Sequence, residues 1–397
     1  MQSNYRANLL YAAVQALYWI CYCPIVGFIS SYLLGLGYGS VHVGAVLALA
    51  NITSLIVQPM LSERSDADPL FSPLHVVTGL VSVIFAGSIV QVILAPRGIV
   101  LLALCTLSAA CIISSCAFVT SVKFQLADDD AIDFGFCRAI GSLAWALVSV
   151  PLGFAIERIG AAAVPVTAAV SAAVLLALLQ LCEKLAREEG RGVLARAGSP
   201  RGDAEDWGAF ARDNRWLMML LLGTSLVYLH HSLSNNFSIL LVENVGGDNS
   251  DMGFLIALAA VCELPAMMLF SRISKRFRAQ ALVAFSLVMF AAKALAIWLA
   301  SSVGLLMGAF SLQLVSFAVF TPATVAYAQV IVDARDQVKA QTCFTLVTTL
   351  AAIFSSLVGG ALFQSFGVHT TLMLTVIAAV IGVVISCASM AHIKVRA

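Results

Sequence analysis

Residues 73–95 and 101–122 contain no Asp, Glu, Lys or Arg. Each is longer than the roughly 20 residues an α-helix needs to cross the hydrocarbon core of a bilayer. Stretches of this kind recur along the whole chain. A window of about 19 residues finds about twelve of them: 7–35, 41–61, 73–95, 99–124, 134–157, 161–182, 216–242, 252–271, 279–300, 303–331, 339–364 and 370–391. In lipid every backbone N–H and C=O must be paired within its own segment, so these stretches are predicted to be transmembrane helices. The short alternating strands of a membrane β-barrel are not seen. The expected fold class is all-α integral membrane, with twelve transmembrane helices in two pseudo-symmetric six-helix bundles.

Composition agrees with this. Of the 397 residues, 61% are hydrophobic and only 11% are charged, against about 25% charged in soluble domains. The net charge of +1 says nothing about partners, and no nucleic-acid partner is expected. The first apolar stretch is too long for a signal-peptide core and lacks a small-residue cleavage site, so it reads as the first span. The ten cysteines lie in or beside apolar stretches without zinc-type spacing and read as buried small hydrophobes. No metal or cofactor is expected. HExxH, GxSxG and paired-Asp constellations are absent from the spans, which argues against an enzyme.

One segment breaks the pattern. Residues 183–215, EKLAREEGRGVLARAGSPRGDAEDWGAFARDNR, are polar and follow the sixth stretch. They read as a cytoplasmic linker, with helix expected near Trp207 to Arg212, dividing bundle 1–182 from bundle 216–397. Lys and Arg concentrate in this linker, in the loop after the eighth stretch (Arg272, Lys275, Arg276, Arg278), at Arg335 and Lys339, and in the tail; the opposite side keeps Arg97 and Arg158. By the positive-inside rule both termini are expected to be cytoplasmic.

The two halves echo each other. GAVLALANITSLIVQPMLSERSD from Gly44 matches GFLIALAAVCELPAMMLFSRISK from Gly253, each second in its own bundle. Parallel six-helix repeats mark a transporter architecture with its site near the midplane. In this register Glu263 stands where the first half has Ser54. Glu263 is also the only carboxylate in the interior of any apolar stretch, Glu157 being the last residue of its own, and buried ionisable groups at bilayer depth are rare and tied to function. Arg138 and Lys293 are cations in comparable positions.

Three stretches carry a resemblance to the major facilitator superfamily, and within it to the lactose permease-like and phenylpropionate permease-like proton symporters. They are VGAVLALANITSLIVQPMLSERSD with Gln58, Pro59 and Asp66; DFGFCRAIGSLAWAL with Gly135, Arg138, Gly141 and Trp145; and GFLIALAAVCELPAM with Glu263. Tyr22, Pro24, FARDNRWL and Lys339-Ala340-Gln341 are weaker echoes. The chain departs from the lactose type in its fourth span, FVTSVKFQL, where Lys123 and Gln125 replace an acid. It departs again in YLHHSLSNNF of the seventh span, which lacks two Asp, and in the tenth, where FSLQLVSFAVF offers Gln313 and Ser316 near the last two of a Lys, His and Glu. Lys293 stands for an Arg.

The resemblance implies a secondary transporter working by alternating access in a bacterial inner membrane, as a monomer, with a small-molecule substrate and a proton as coupling ion. Arg138, Trp145, Glu263, Lys293, Asn235 and Gln313 are the candidate substrate-binding residues, and Glu263, His230 and His231 the candidates for proton coupling. Asp66 is the candidate for conformational gating. Arg138 could instead pair with Asp133 or an acid of the Asp128–Asp130 run. Glu263 could form a fixed pair with Lys293 or with His230 or His231. Lys123 either faces the cavity or extends to the interface. If Lys123, Arg138 and Lys293 all face one cavity, cations outnumber the acid and an organic or aromatic acid is the expected substrate. A sugar or nucleoside, an uncoupled facilitator or exporter, and a non-transporting sensor are the alternatives.

Overall fold

A computed structural model describes residues 2–68, 71–126, 132–188, 207–333 and 336–393, apart from the side chains of 2–5, 66, 186, 188, 267 and 338. The chain forms two compact units, Met1–Arg201 and Gly202–Ala397. Described elements are helical. In the first unit they are α1 (Gln2–Tyr22), α2 (Ile29–Gly35), α3 (Ser40–Ala67), α4 (Pro73–Leu94), α5 (Gly98–Ser121), α6 (Lys123–Leu126), α7 (Phe134–Ile159) and α8 (Ala163–Glu188). The second holds α9 (Trp207–Asp213), α10 (Arg215–Asn236), α11 (Ser238–Asn244), α12 (Asn249–Arg276), α13 (Ala279–Leu299), α14 (Val303–Ser311), α15 (Phe317–Ile331) and α16 (Gln337–Met390).

Among the described residues ten helices are long and apolar enough to cross a membrane, or eleven when the two bent halves of α12 count as one span. The longest, α16, is interrupted at Gly367, which has φ +73° and ψ 179°. Counted as two spans, it brings the total to the expected twelve. The helices run further than the apolar stretches, so Glu63 and Glu183 fall within their last two turns. The polar segment is also shorter than expected from sequence: α8 continues to Glu188 and α9 begins at Trp207.

Breaks in the helices place the functional side chains. Between α1 and α2 lies a π-helical turn, Cys23–Gly27, with Phe28 N–H reaching the carbonyl of Cys23 at 3.1 Å. Such turns are rare and concentrate at functional sites. In α12, Asn249–Ala266 and Met268–Arg276 meet at 48°. Pro265 lies at this bend; its ring removes one backbone hydrogen bond and crowds the carbonyl four residues back. Asp248 starts α12 with a capping box, accepting from Ser250 and Asp251 N–H while Asp251 accepts from Asp248 N–H. Between α14 and α15 the tenth span narrows to a 3₁₀ turn, Leu312–Leu314.

Where the backbones of α10 and α16 come together, two of the residues are glycine. A Cβ on Gly223 of α10 would lie 2.6 Å from Gly382 O and 2.8 Å from Ser386 N of α16, and one on Gly382 would lie 2.5 Å from Gly223 O. Close approach through small residues is how helices associate in lipid, where tails are as apolar as side chains.

Candidate functional site

The second unit holds a chain of three polar side chains from three elements. Lys293 of α13 donates from Nζ to Gln313 Oε1 at 2.6 Å, and Gln313 Nε2 donates to Glu263 Oε1 of α12 at 2.9 Å. Lys293 is 2% exposed and Gln313 4%. Gln313 reaches both partners because the 3₁₀ turn sets it between α14 and α15. Lys293 also lies 4.5 Å from the centroid of the Phe310 ring. A buried ammonium needs such partners, since an uncompensated buried charge costs far more than any single hydrogen bond returns. Of the partners weighed for Glu263, Lys293 is joined to it through the amide of Gln313.

His230 and His231 of α10 are both buried and have different surroundings. His230 Nδ1 lies 2.9 Å from Thr375 Oγ1 and Nε2 lies 3.1 Å from Ser234 Oγ. Each hydroxyl also has a carbonyl on its own helix within reach: Ser234 Oγ to His230 O at 2.8 Å, Thr375 Oγ1 to Leu372 O at 3.0 Å. With one proton per hydroxyl, a neutral imidazole takes a proton from one hydroxyl and donates to the other. An imidazolium donates to both while the hydroxyls turn to their carbonyls. The ring is satisfied in either protonation state. His231 is an aromatic packing element instead: it stacks on Phe317 (5.3 Å, 18°), meets Tyr228 and Phe290 edge-on, and its Nδ1 is buried with no hydrogen-bond partner. Exposed Asn235 lies 3.2 Å from His231 Nε2.

The first unit carries an aromatic cluster with a cation on it. Trp19 and Tyr22, one turn apart on α1, have centroids 5.1 Å apart, and Trp145 of α7 lies 6.0 Å from Trp19 and 5.6 Å from Tyr22. Arg138 Cζ stands 4.2 Å over Trp19, and its NH1 donates to Ser142 Oγ at 2.7 Å. Cation–π contacts of this kind contribute on the order of 0.5–2 kcal/mol. Trp19, Tyr22, Trp145 and the guanidinium are half-buried, and Tyr18, which packs edge-on behind Trp19, is fully buried. Two glycines make the room: a Cβ on Gly141 would lie 2.5 Å from Trp19 Cδ1, and one on Gly27 would lie 3.0 Å from Trp145 Cη2. Gln15 fixes the indole, accepting from Trp19 Nε1 at 3.3 Å and donating to Tyr11 Oη at 2.8 Å.

Arg138 and Trp145 thus meet through Trp19, which sequence reasoning missed. Helical spacing puts Trp19 and Tyr22 on one face and Gly141 and Trp145 on another, but not the two faces against each other. Asp133 caps α7 by accepting from Phe136 N–H at 2.9 Å. The Asp128–Asp130 run and the Asp66 side chain lie outside the described residues. Lys123 sits past the end of α5 with Nζ 4.5 Å from the Phe124 ring and 5.4 Å from that of Phe134.

Helices of this number and apolarity, with a buried polar chain in one unit and an aromatic–cation cluster in the other, define a multi-pass membrane protein, and solved structures share its fold. The chain superposes on the nucleoside transporter NupG, in a single-site variant, with a TM-score of 0.81, 13% identity, and coverage of 98% of this chain and 100% of that one. It superposes on a bacterial homologue of the human lysosomal transporter Spinster, inward-facing and unoccupied, with a TM-score of 0.74, 12% identity and 98% of each chain. A putative sugar efflux transporter of Deinococcus radiodurans is 30% identical over 139 residues, a match that spans 35% of this chain and only 35% of that relative. Residues 10–374 match the MFS_1 like family. The protein belongs to that family and is a multi-pass membrane transporter, not an enzyme.

Proposed function

We propose that this chain is a proton-coupled secondary transporter of the bacterial inner membrane that carries a small, ring-bearing organic acid, with both termini cytoplasmic and the 183–215 segment as the linker between its halves. The observation that carries the reading is Arg138 standing on Trp19 beside Tyr22 and Trp145. Aromatic faces take a planar or sugar ring by stacking. A guanidinium adds a planar fork of donors that fits a carboxylate. Placement near the lactose permease-like and phenylpropionate permease-like branch belongs to the same reading, through Arg138, Trp145 and Glu263.

In this scheme Glu263 is the coupling acid. Ionised, it offsets Lys293 through Gln313; protonated, it leaves the ammonium without its counter-charge, which biases the unit toward a different arrangement. His230 is the second carrier, because its partners accommodate both protonation states. Lys293, Gln313 and Asn235 complete the substrate and coupling set, and Asp66 gates the conformational change.

A neutral sugar or nucleoside is the second reading, favoured by a specific observation. Lys293 is already linked to Glu263, and Lys123 rests on two rings at a helix end, so neither adds a cation to the cluster around Arg138. The named activity of the Deinococcus radiodurans relative supports the same alternative.

Uptake into proteoliposomes against a panel of aromatic acids, other organic acids, sugars and nucleosides tests both, with and without an imposed pH gradient. The proposal expects gradient-driven uptake of an acid, abolished by Arg138→Ala, and with Glu263→Gln exchange that no longer responds to the gradient. Uptake of a sugar or nucleoside instead, or flux indifferent to the gradient, overturns it.

A further inference from the structure

The half of α12 beyond its bend has an unusual surface. Met268 is 75% exposed and Leu269 44% exposed, one turn before exposed Arg272, which is followed by exposed Lys275 and Arg276. Residues 268, 272 and 275–276 lie on one helical face, and about 12 Å of helix separates Met268 from Arg276. The turn into α13 continues the pattern with Phe277, 53% exposed, between Arg276 and Arg278. Among the described residues none of these four cations forms an ion pair.

One neighbouring element adds the same sign at the same level through Arg215. Gln280 Nε2 donates to Met390 O at 3.0 Å, which ties the start of α13 to the end of α16. Two residues on, His392 stacks on Trp216 at 4.2 Å, and Arg215 Cζ lies 5.4 Å from that indole. Tryptophan at a helix end marks the headgroup level of a bilayer. The only described acid on these segments is Asp213.

We propose that this strip is a binding site for an anionic phospholipid of the surrounding bilayer, with the phosphate held by Arg272, Lys275, Arg276 and Arg278 and the upper acyl chain lying along Met268 and Leu269. Basic residues ending a span attract anionic headgroups. Apolar and basic side chains in line on one helix face match a molecule that is apolar at one end and anionic at the other. A soluble anion would use only the basic part. The site has a consequence for the transporter: it holds the segment Met268–Arg276, whereas Glu263 stands on the other side of the 48° bend. Bound lipid fixes the orientation of the outer segment against which the Glu263 segment moves.

Native mass spectrometry of the purified full chain, titrated with phosphatidylglycerol and with phosphatidylcholine, tests this. Each basic contact at a membrane surface changes affinity by roughly fivefold, so Arg272→Gln/Lys275→Gln/Arg276→Gln/Arg278→Gln is expected to lose at least tenfold in affinity for phosphatidylglycerol and little for phosphatidylcholine. A control with equal loss of charge per site at the opposite end, Arg97→Gln/Arg158→Gln, is expected to retain the preference. The proposal fails if the fourfold variant keeps its preference, if the control loses it equally, or if glycerol phosphate displaces the lipid at comparable concentration. Should the fourfold variant not fold, Arg272→Gln/Lys275→Gln and Arg276→Gln/Arg278→Gln are scored by the same criteria, each expected to lose part of the preference.

Discussion

Replacing Gln313 by Leu removes the bridge between Lys293 and Glu263 while nearly conserving volume. The path from Nζ through the amide to Oε1 is at most about 8 Å, a separation at which two unit charges attract by about 2 kcal/mol at an effective dielectric constant near 20. Each of the two hydrogen bonds involves a charged group and contributes about 1.5–3 kcal/mol. Part of this returns as Lys293 settles toward the Phe310 ring, so the expected net cost is about 2–4 kcal/mol. The second unit, Gly202–Ala397, is of the size at which about 2–4 °C of melting temperature is lost per kcal/mol, so the drop is about 5–15 °C. The assay is built into the chain. All ten cysteines are free and six are buried, so a thiol-reactive fluorophore reports unfolding in detergent. The same substitution in a Lys293→Met/Glu263→Gln background is expected to cost less than about 1 kcal/mol, because the charges that Gln313 serves are gone. Equal drops in both backgrounds would refute the bridge and assign the loss to packing. No drop in either would refute the geometry itself.

Three further outcomes follow from close contacts and hydrogen bonds. Gly141→Ala places a methyl 2.5 Å from Trp19 Cδ1 and displaces the indole that carries Arg138; ligand affinity is expected to fall about tenfold or more with stability reduced by about 1–3 kcal/mol, as checked by binding and melting curves. Gly223→Ala meets the backbone of Gly382 and Ser386, which cannot rotate away, so folded yield in membranes is expected to collapse, whereas Gly79→Ala, with nothing within 4 Å, is expected to behave as wild type. His230→Phe is expected to uncouple transport from the pH gradient, and His231→Phe to retain most of it, because His231 already serves as a packed ring among Tyr228, Phe290 and Phe317; gradient-driven uptake compared with exchange separates the two.

The spans were legible from sequence because hydrocarbon imposes one rule on every segment, and length with apolarity satisfies it. Even the level of the charged pair could be read. Glu263 lies 14 residues before Phe277 and Lys293 lies 16 after it, so at 1.5 Å per residue they stand about 21 Å and 24 Å from the same corner. What the sequence did not disclose was azimuth. A helix turns 100° per residue, and the registers of α12, α13 and the 3₁₀ turn at Leu312–Leu314 are set by packing among the three. Gln313 was therefore identifiable only by its place in a family pattern, not as the group joining two charges. Trp19 stayed hidden for a related reason: its role depends on Gly141, 122 residues away, whose missing side chain leaves the space the indole fills. An ionisable residue in an apolar span announces itself by the cost of burying it, whereas an aromatic residue or a glycine carries no such cost. Charged sites in a membrane protein can thus be found one residue at a time, but a ring-binding surface becomes recognisable only when the helices that build it are brought together.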